Sequence, residues 1–188
     1  MTRFRVLGIA LLLALGAAAV AAATPAGRSD DDSSGRHIAM RDDCDPRDPA
    51  WNNVGGCALK RGDVSFAEFF DELDSPLAPT SVVGHQSWRN DPSYLKVRAG
   101  KSVRVRNEGG RPHTFTKVAE FGGGKVPAPA LNKGLVTAPE CPGSVNIPAG
   151  GRTTVSGLAV GNHRFQCCIH PFMRALVKVQ AGGEDEDD

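Results

Sequence analysis

Aromatic side chains are scarce in this chain, at 6% of 188 residues, with one tyrosine and two tryptophans. An excess of either charge is also missing: 22 Lys and Arg stand against 21 Asp and Glu, a formal net charge of +1. No basic block or stripe occurs, which excludes the electrostatic footprint of a nucleic-acid binder. The apolar stretch from Val6 to Val20 falls short of the roughly 20 residues that a bilayer span needs. No membrane span is therefore expected in the mature protein. The five histidines and three methionines form no tract, so a dense metal store is disfavoured. Asp30-Asp31-Asp32 lacks the glycine and bidentate glutamate of a calcium loop. No nucleophile triad, Gly-rich phosphate loop or internal repeat stands out.

What is present begins with an export signal. Arg3 and Arg5 precede the apolar run, and Ala21-Ala22-Ala23 offers a small-residue cleavage site after it. The mature chain is expected to start near Thr24 and to work in a periplasmic or extracellular space. Loss of Arg3 and Arg5 takes the formal charge from +1 to −1. Residues 24–41 are polar without apolar periodicity and read as a flexible tether. Residues 42–80 form a turn-rich extension. Within it Phe66, Phe69, Phe70 and Leu73 follow the i, i+3, i+4, i+7 spacing of a short amphipathic helix, ended by Pro76 and Pro79. Its apolar face suits a lid over the rest of the chain. From residue 81 the period becomes two: Leu95 and Val97 alternate with Lys96 and Arg98, and Val103 and Val105 with Arg104 and Arg106. Further strands are expected over 113–118, 144–147, 153–158, 163–167 and 175–179. Many short strands between Gly/Pro turns predict an all-β fold, a Greek-key β-sandwich over residues 81–180. Residues 181–188 read as a solvated acidic tail, and the protein as a monomer.

Five cysteines in an exported chain is an odd count, which leaves one sulfur without a partner. Cys44 and Cys57 flank a Pro/Asn/Gly-rich stretch and are natural disulfide partners, while Cys141, beside Pro142, can reach Cys168. That pairing leaves Cys167 free, although sequence alone does not fix the connectivity. Cys167 opens the run Cys167-Cys168-Ile169-His170-Pro171-Phe172-Met173, which groups a thiolate, an imidazole and a thioether at Cys-x2-His-x2-Met spacing. Such donors suit copper, and a His2Cys plane with a weak axial Met is the blue-copper arrangement. One more imidazole is required, and His113, in Arg111-Pro112-His113-Thr114, is the best candidate. The plainer reading of the same run is a buried Met beside a disulfide Cys and a structural His.

The run resembles the ligand loop of the cupredoxins, the small blue copper proteins. Gly161-Asn162-His163-Arg164-Phe165-Gln166-Cys167 resembles the strand that leads into that loop. The resemblance covers about residues 81–180. It implies a cupredoxin-like sandwich holding one copper ion, Cu(I) or Cu(II), on His113, Cys167 and His170, with Met173 as axial ligand. It implies single-electron transfer between redox protein partners rather than enzymatic turnover. It also implies an apolar docking patch where Pro171 and Phe172 flank His170. A copper-binding module for delivery, storage or resistance would use the same ligands and is the alternative function. Two departures stand out. Cys168 follows the ligand Cys directly, and strand neighbours face opposite sides, so a Cys141–Cys168 bridge resembles the disulfide that braces the site in plant relatives. Thr114 follows the first ligand where several relatives carry Asn, so hydrogen bonding around the Cys sulfur departs from theirs.

The remaining histidines fit the metal less well. His163 lies about 13 Å from Cys167 along an extended strand at ~3.3 Å per residue, and belongs in the core. His85 is a lesser candidate for the metal's surroundings, and His37 falls in the tether. Trp51 and Trp88 read as packing anchors.

Overall fold

The computed structural model describes residues 36–75, 81–82 and 84–182. The export signal, most of the tether and the acidic run 184–188 lie outside the described residues. Two four-stranded sheets build a β-sandwich. The first has the order β2-β1-β4-β6, from strands Trp88–Asp91 (β2), His37–Asp42 (β1), Val103–Asn107 (β4) and Arg152–Val155 (β6). The second has the order β3-β8-β7-β5, from Tyr94–Arg98 (β3), Arg174–Gln180 (β8), Gly161–Gln166 (β7) and Thr116–Val118 (β5). The period-two segments become strands because alternate residues face the core. In β3 Leu95 and Val97 are buried while Tyr94, Lys96 and Arg98 are exposed, and β4 buries Val103, Val105 and Asn107. Ile38, Met40, Trp88, Val103 and Val105 of the first sheet meet Leu95, Val97, Phe165, Ala175, Val177 and Val179 of the second in one apolar cluster.

Two strands depart from the sequence expectation. β1 falls where a flexible tether was expected up to residue 41. It pairs in parallel with β4 and antiparallel with β2, so it is an interior strand of its sheet. Its burial does not alternate as that of the equally interior β4 does: Ile38, Ala39 and Met40 are all buried, so both faces of β1 are covered and the period-two signature is absent. The sandwich consequently extends beyond 81–180 at its N-terminal side. β2 is the second addition, with Trp88 and Asn90 buried. Residues 144–147 contribute only an isolated bridge, His113 to Ile147.

The helix α1 spans Phe66–Asp74. Ser65 starts it by a capping box: the Glu68 N–H donates to the Ser65 hydroxyl at 3.2 Å, and the Ser65 N–H donates to the Glu68 carboxylate at 2.7 Å. Phe69 and Leu73 are buried, Phe66 is half-buried, and Phe70 remains 44% exposed. Upstream, a 3₁₀ helix at Pro49–Val54 inserts Trp51, which stacks on Trp88 at 5.6 Å between ring centres. Phe69 joins them, 4.6 Å from Trp88 and 5.4 Å from Trp51. Arg111 carries its guanidinium 5.6 Å from the Trp51 ring and donates to the carbonyls of Val54 and Gly56. The extension is thus fastened to the sandwich by an aromatic cluster and one buried cation. A short helix α2 at Pro129–Asn132 lies in the long Gly/Pro/Ala-rich connection between β5 and β6. Disulfides join Cys44 to Cys57 and Cys141 to Cys168, and Cys167 is a buried thiol. Among the described residues no helix is long and apolar enough to cross a membrane.

Candidate metal centre

Two loops converge at one end of the sandwich. The first, after β4, carries His113. Asn107 shapes it from within: its side-chain amide donates to the Arg111 and Ile147 carbonyls at 2.7 and 2.9 Å, and its side-chain oxygen accepts from the Gly109 N–H at 3.0 Å. His113 and Ile147 exchange two backbone hydrogen bonds, 3.1 and 2.7 Å, which fix the direction in which the imidazole leaves the chain. The second loop is the Cys167–Met173 connection between β7 and β8. The Cys167 N–H donates to the Met173 carbonyl and the Met173 N–H to the His170 carbonyl, both at 2.9 Å, closing the loop on itself. Arg174 braces it by donating to the Pro171 carbonyl at 3.0 Å.

Convergence brings the Nδ1 atoms of His113 and His170 to 3.1 Å from each other and to 3.8 Å each from the Cys167 Sγ. Among the described residues this is the one His/Cys/Asp/Glu cluster tight enough to hold a metal. The triangle accepts a single first-row ion, for which bonds of about 2.0 Å to nitrogen and about 2.3 Å to sulfur are typical. Two imidazole lone pairs and a sulfur facing one another repel unless a proton or cation sits among them. Two imidazoles with a thiolate are borderline-to-soft ligands, so the donor chemistry fits copper. His113 and Cys167 are 0% exposed, and Met173 is likewise fully buried beside them.

The electrostatics agree with a cation site. Burial alone would push the Cys167 thiol up, but hydrogen bonding and charge from His113 and His170 hold it well below the usual thiol range. Burial opposes protonation of His113, yet the Asp42 carboxylate and the Cys167 sulfur lift it to about 9. For His170 burial dominates and depresses the value. Two N–H groups also point at the sulfur: Thr114 at 3.3 Å and His170 at 3.4 Å. Thr114 has a second part, because its hydroxyl oxygen accepts the Cys168 N–H at 2.7 Å and so ties the two loops together.

The apolar docking patch expected at Pro171 and Phe172 is not on the surface. Both residues are buried, Phe172 to 5% exposure, and His170 to 7%. Two segments cover this end: the Phe69 ring of α1 meets His170 edge-on at 6.4 Å, and His85, beyond the extension, stands edge-on to Phe172 at 4.6 Å. His85 therefore lies one ring beyond the ligand set, outside it. His163 is buried away from the cluster, its Nε2 2.7 Å from the Ala159 carbonyl, and His37 is half-buried in β1. Trp51 and Trp88 pack against each other and against α1.

The residue that sequence reasoning missed is Asp42, at the end of β1. It is 1% exposed and lies 2.6 Å from the Nε2 of His113. No local pattern announces it, since its partner is 71 positions away. Asn107 escaped notice for a similar reason.

No family model and no curated protein matches this chain. Solved structures similar to it include a purple cupredoxin from Nitrosopumilus maritimus, 19% identical, covering 56% of this chain and 94% of that one at a TM-score of 0.37. Two reduced amicyanin variants are also similar. One is 21% identical over 55% of this chain and 86% of its own; the other is 20% identical over 57% and 89%; each has a TM-score of 0.35.

Proposed function

We propose that this chain is an exported, cupredoxin-like, mononuclear type 1 copper protein that carries single electrons between redox protein partners. The observation that carries the reading is the buried triangle of two imidazole nitrogens and the unpaired cysteine sulfur beside Met173. Copper held there would supply a one-electron couple. His113, Cys167 and His170 would be its equatorial ligands and Met173 the axial one. The rest is the work of the chain. The closed Cys167–Met173 loop and the Asn107-braced loop hold the donors in place before any metal arrives, so little rearrangement accompanies a change of charge. Thr114 and His170 N–H groups support negative charge on the sulfur. Phe69 and Phe172 exclude water from the His170 side. Export is supported by the N-terminal leader pattern and by two disulfides. Complete burial of three donors favours retention of the ion over handing it to an acceptor, which separates this reading from copper delivery.

The test is one spectrum of the mature protein loaded with Cu(II), beside its Cys167→Ala variant. An intense visible sulfur-to-copper band, bleached by reductant and absent from the variant, is expected. A colourless protein with Cys167 reduced would overturn the reading.

A further inference from the structure

We infer that Asp42 is a positioning residue for the metal, a fixed carboxylate that aims His113 through its far nitrogen and biases the centre toward the oxidised ion; this rests on the function proposed above. The geometry is complete in itself. One Asp42 oxygen accepts the Gly110 N–H at 2.8 Å; the other accepts the Arg111 N–H at 3.0 Å and faces the His113 Nε2 at 2.6 Å. Both neighbours in the contact are 0% exposed in their side chains. A metal on the His113 Nδ1 leaves the ring's proton on Nε2, so all three groups around Asp42 are donors. A protonated carboxyl would find no acceptor there, and the surroundings therefore demand the anion.

The fold is shaped to admit this carboxylate. A side chain at Gly109 would place its first carbon 2.0 Å from an Asp42 oxygen, and one at Gly110 would meet the Cys44 and Cys57 sulfurs at 2.7 and 2.9 Å. Glycine at 109 thus lets the His113 loop close over Asp42, and glycine at 110 lets it lie against the Cys44–Cys57 disulfide. The nearby Arg111 cation is occupied elsewhere, on the carbonyls of Val54 and Gly56.

Charge counting gives the consequence. Cys167 as thiolate and Asp42 as carboxylate together balance one cupric ion, whereas a cuprous ion leaves a net negative charge in a buried space. Buried net charge is unfavourable, so the carboxylate favours the cupric state. A neutral amide of the same shape would remove that bias while its oxygen still accepts from the ring and its NH2 faces the Gly110 N–H; groups bonded to the far nitrogen of a ligating imidazole orient and tune it generally.

The experiment compares the midpoint potentials of the copper-loaded full chain and its Asp42→Asn variant. The variant should keep the sulfur-to-copper band and shift the Cu(I)/Cu(II) equilibrium toward Cu(I) by tenfold or more. For a one-electron couple that is a rise of about 59 mV. An unchanged or lowered potential in a correctly coloured variant would overturn the inference while leaving the copper reading intact; a wild type without the band overturns both. Should the variant not fold, the unaltered reduced protein decides by nitrogen-15 NMR. A His113 Nε2–H proton, far downfield and slow to exchange, is expected, and a His113 ring bare at Nε2 refutes it.

Discussion

Substituting Phe69 by Ala probes whether α1 is a built-in cover of the metal end. The ring is 6% exposed and lies near five others at once: Trp88 at 4.6 Å, Trp51 at 5.4 Å, Phe70 at 5.8 Å, and Phe66 and His170 each at 6.4 Å. Truncating a buried Phe to Ala costs about 3–5 kcal/mol, with the lower end applying where the surroundings can collapse. A surface helix of nine residues can collapse, so about 3 kcal/mol is expected. For a chain of this size that corresponds to a fall in midpoint temperature of roughly 6–12 °C. Urea unfolding of the metal-free protein, followed by tryptophan fluorescence, measures the loss directly, since Trp51 and Trp88 both report on the cluster. A second readout separates covering from mere packing. Removing the ring opens the edge of His170, so a small external oxidant should react with the reduced copper protein several-fold faster in the variant. A stability loss under about 1 kcal/mol, together with an unchanged oxidation rate, would show that α1 is an appendage and not a cover.

Other consequences are as direct. Cys168→Ser opens the Cys141–Cys168 link, which spans 27 positions; chain-entropy reasoning puts the loss at about 3.5 kcal/mol. The visible band should survive, and its disappearance would move the ligand role from Cys167 to Cys168. Copper binding to the metal-free protein should release about one proton per ion near neutral pH. The pair made by the depressed Cys167 thiol and the His113 imidazole, lifted to about 9, holds one proton, whichever atom carries it. The release should fade as pH rises through about 9, and a titration in weak buffer that finds none near neutrality contradicts the site's electrostatics. Asn107→Ala leaves the buried Arg111 carbonyl without its Asn107 donor, while the Ile147 carbonyl keeps the His113 N–H and the Gly109 N–H keeps the Met40 carbonyl. A loss of about 1–3 kcal/mol, with weaker copper retention against a chelator, is expected.

What the sequence disclosed follows from the range over which each feature is encoded. Cys167, His170 and Met173 lie within one seven-residue loop, so their spacing is a local property and survives any rearrangement elsewhere. Cysteine parity pointed to the unpaired sulfur without knowledge of the fold. The helix was legible because Phe66, Phe69, Phe70 and Leu73 repeat at its own period, and Ser65 with Glu68 supplies its cap. β1 was not legible. A strand covered on both faces buries consecutive residues, and Ile38-Ala39-Met40 flanked by His37, Arg41 and Asp42 resembles a polar linker more than an alternating strand.

The same distinction explains the two features that change the character of the centre. A ligand motif specifies donors and says nothing of what covers them. His170 is covered by Phe69, a ring encoded about a hundred positions earlier, and Phe172 by His85, which lies just before β2. Asp42 reaches His113 by the same route, from a strand that the ligand loops do not contact in sequence. The N-terminal segment therefore supplies both the cover on one imidazole and the carboxylate on the other. In the proposed carrier, an electron passing by way of His170 would meet the Phe69 and Phe172 rings beside it, and Asp42 on β1 would help set its energy. Removing everything before residue 84 would keep all four candidate ligands but take away Asp42, Phe69 and β1 together, so the first sheet would lose the strand that joins β2 to β4 and the truncated chain is expected not to fold as the sandwich.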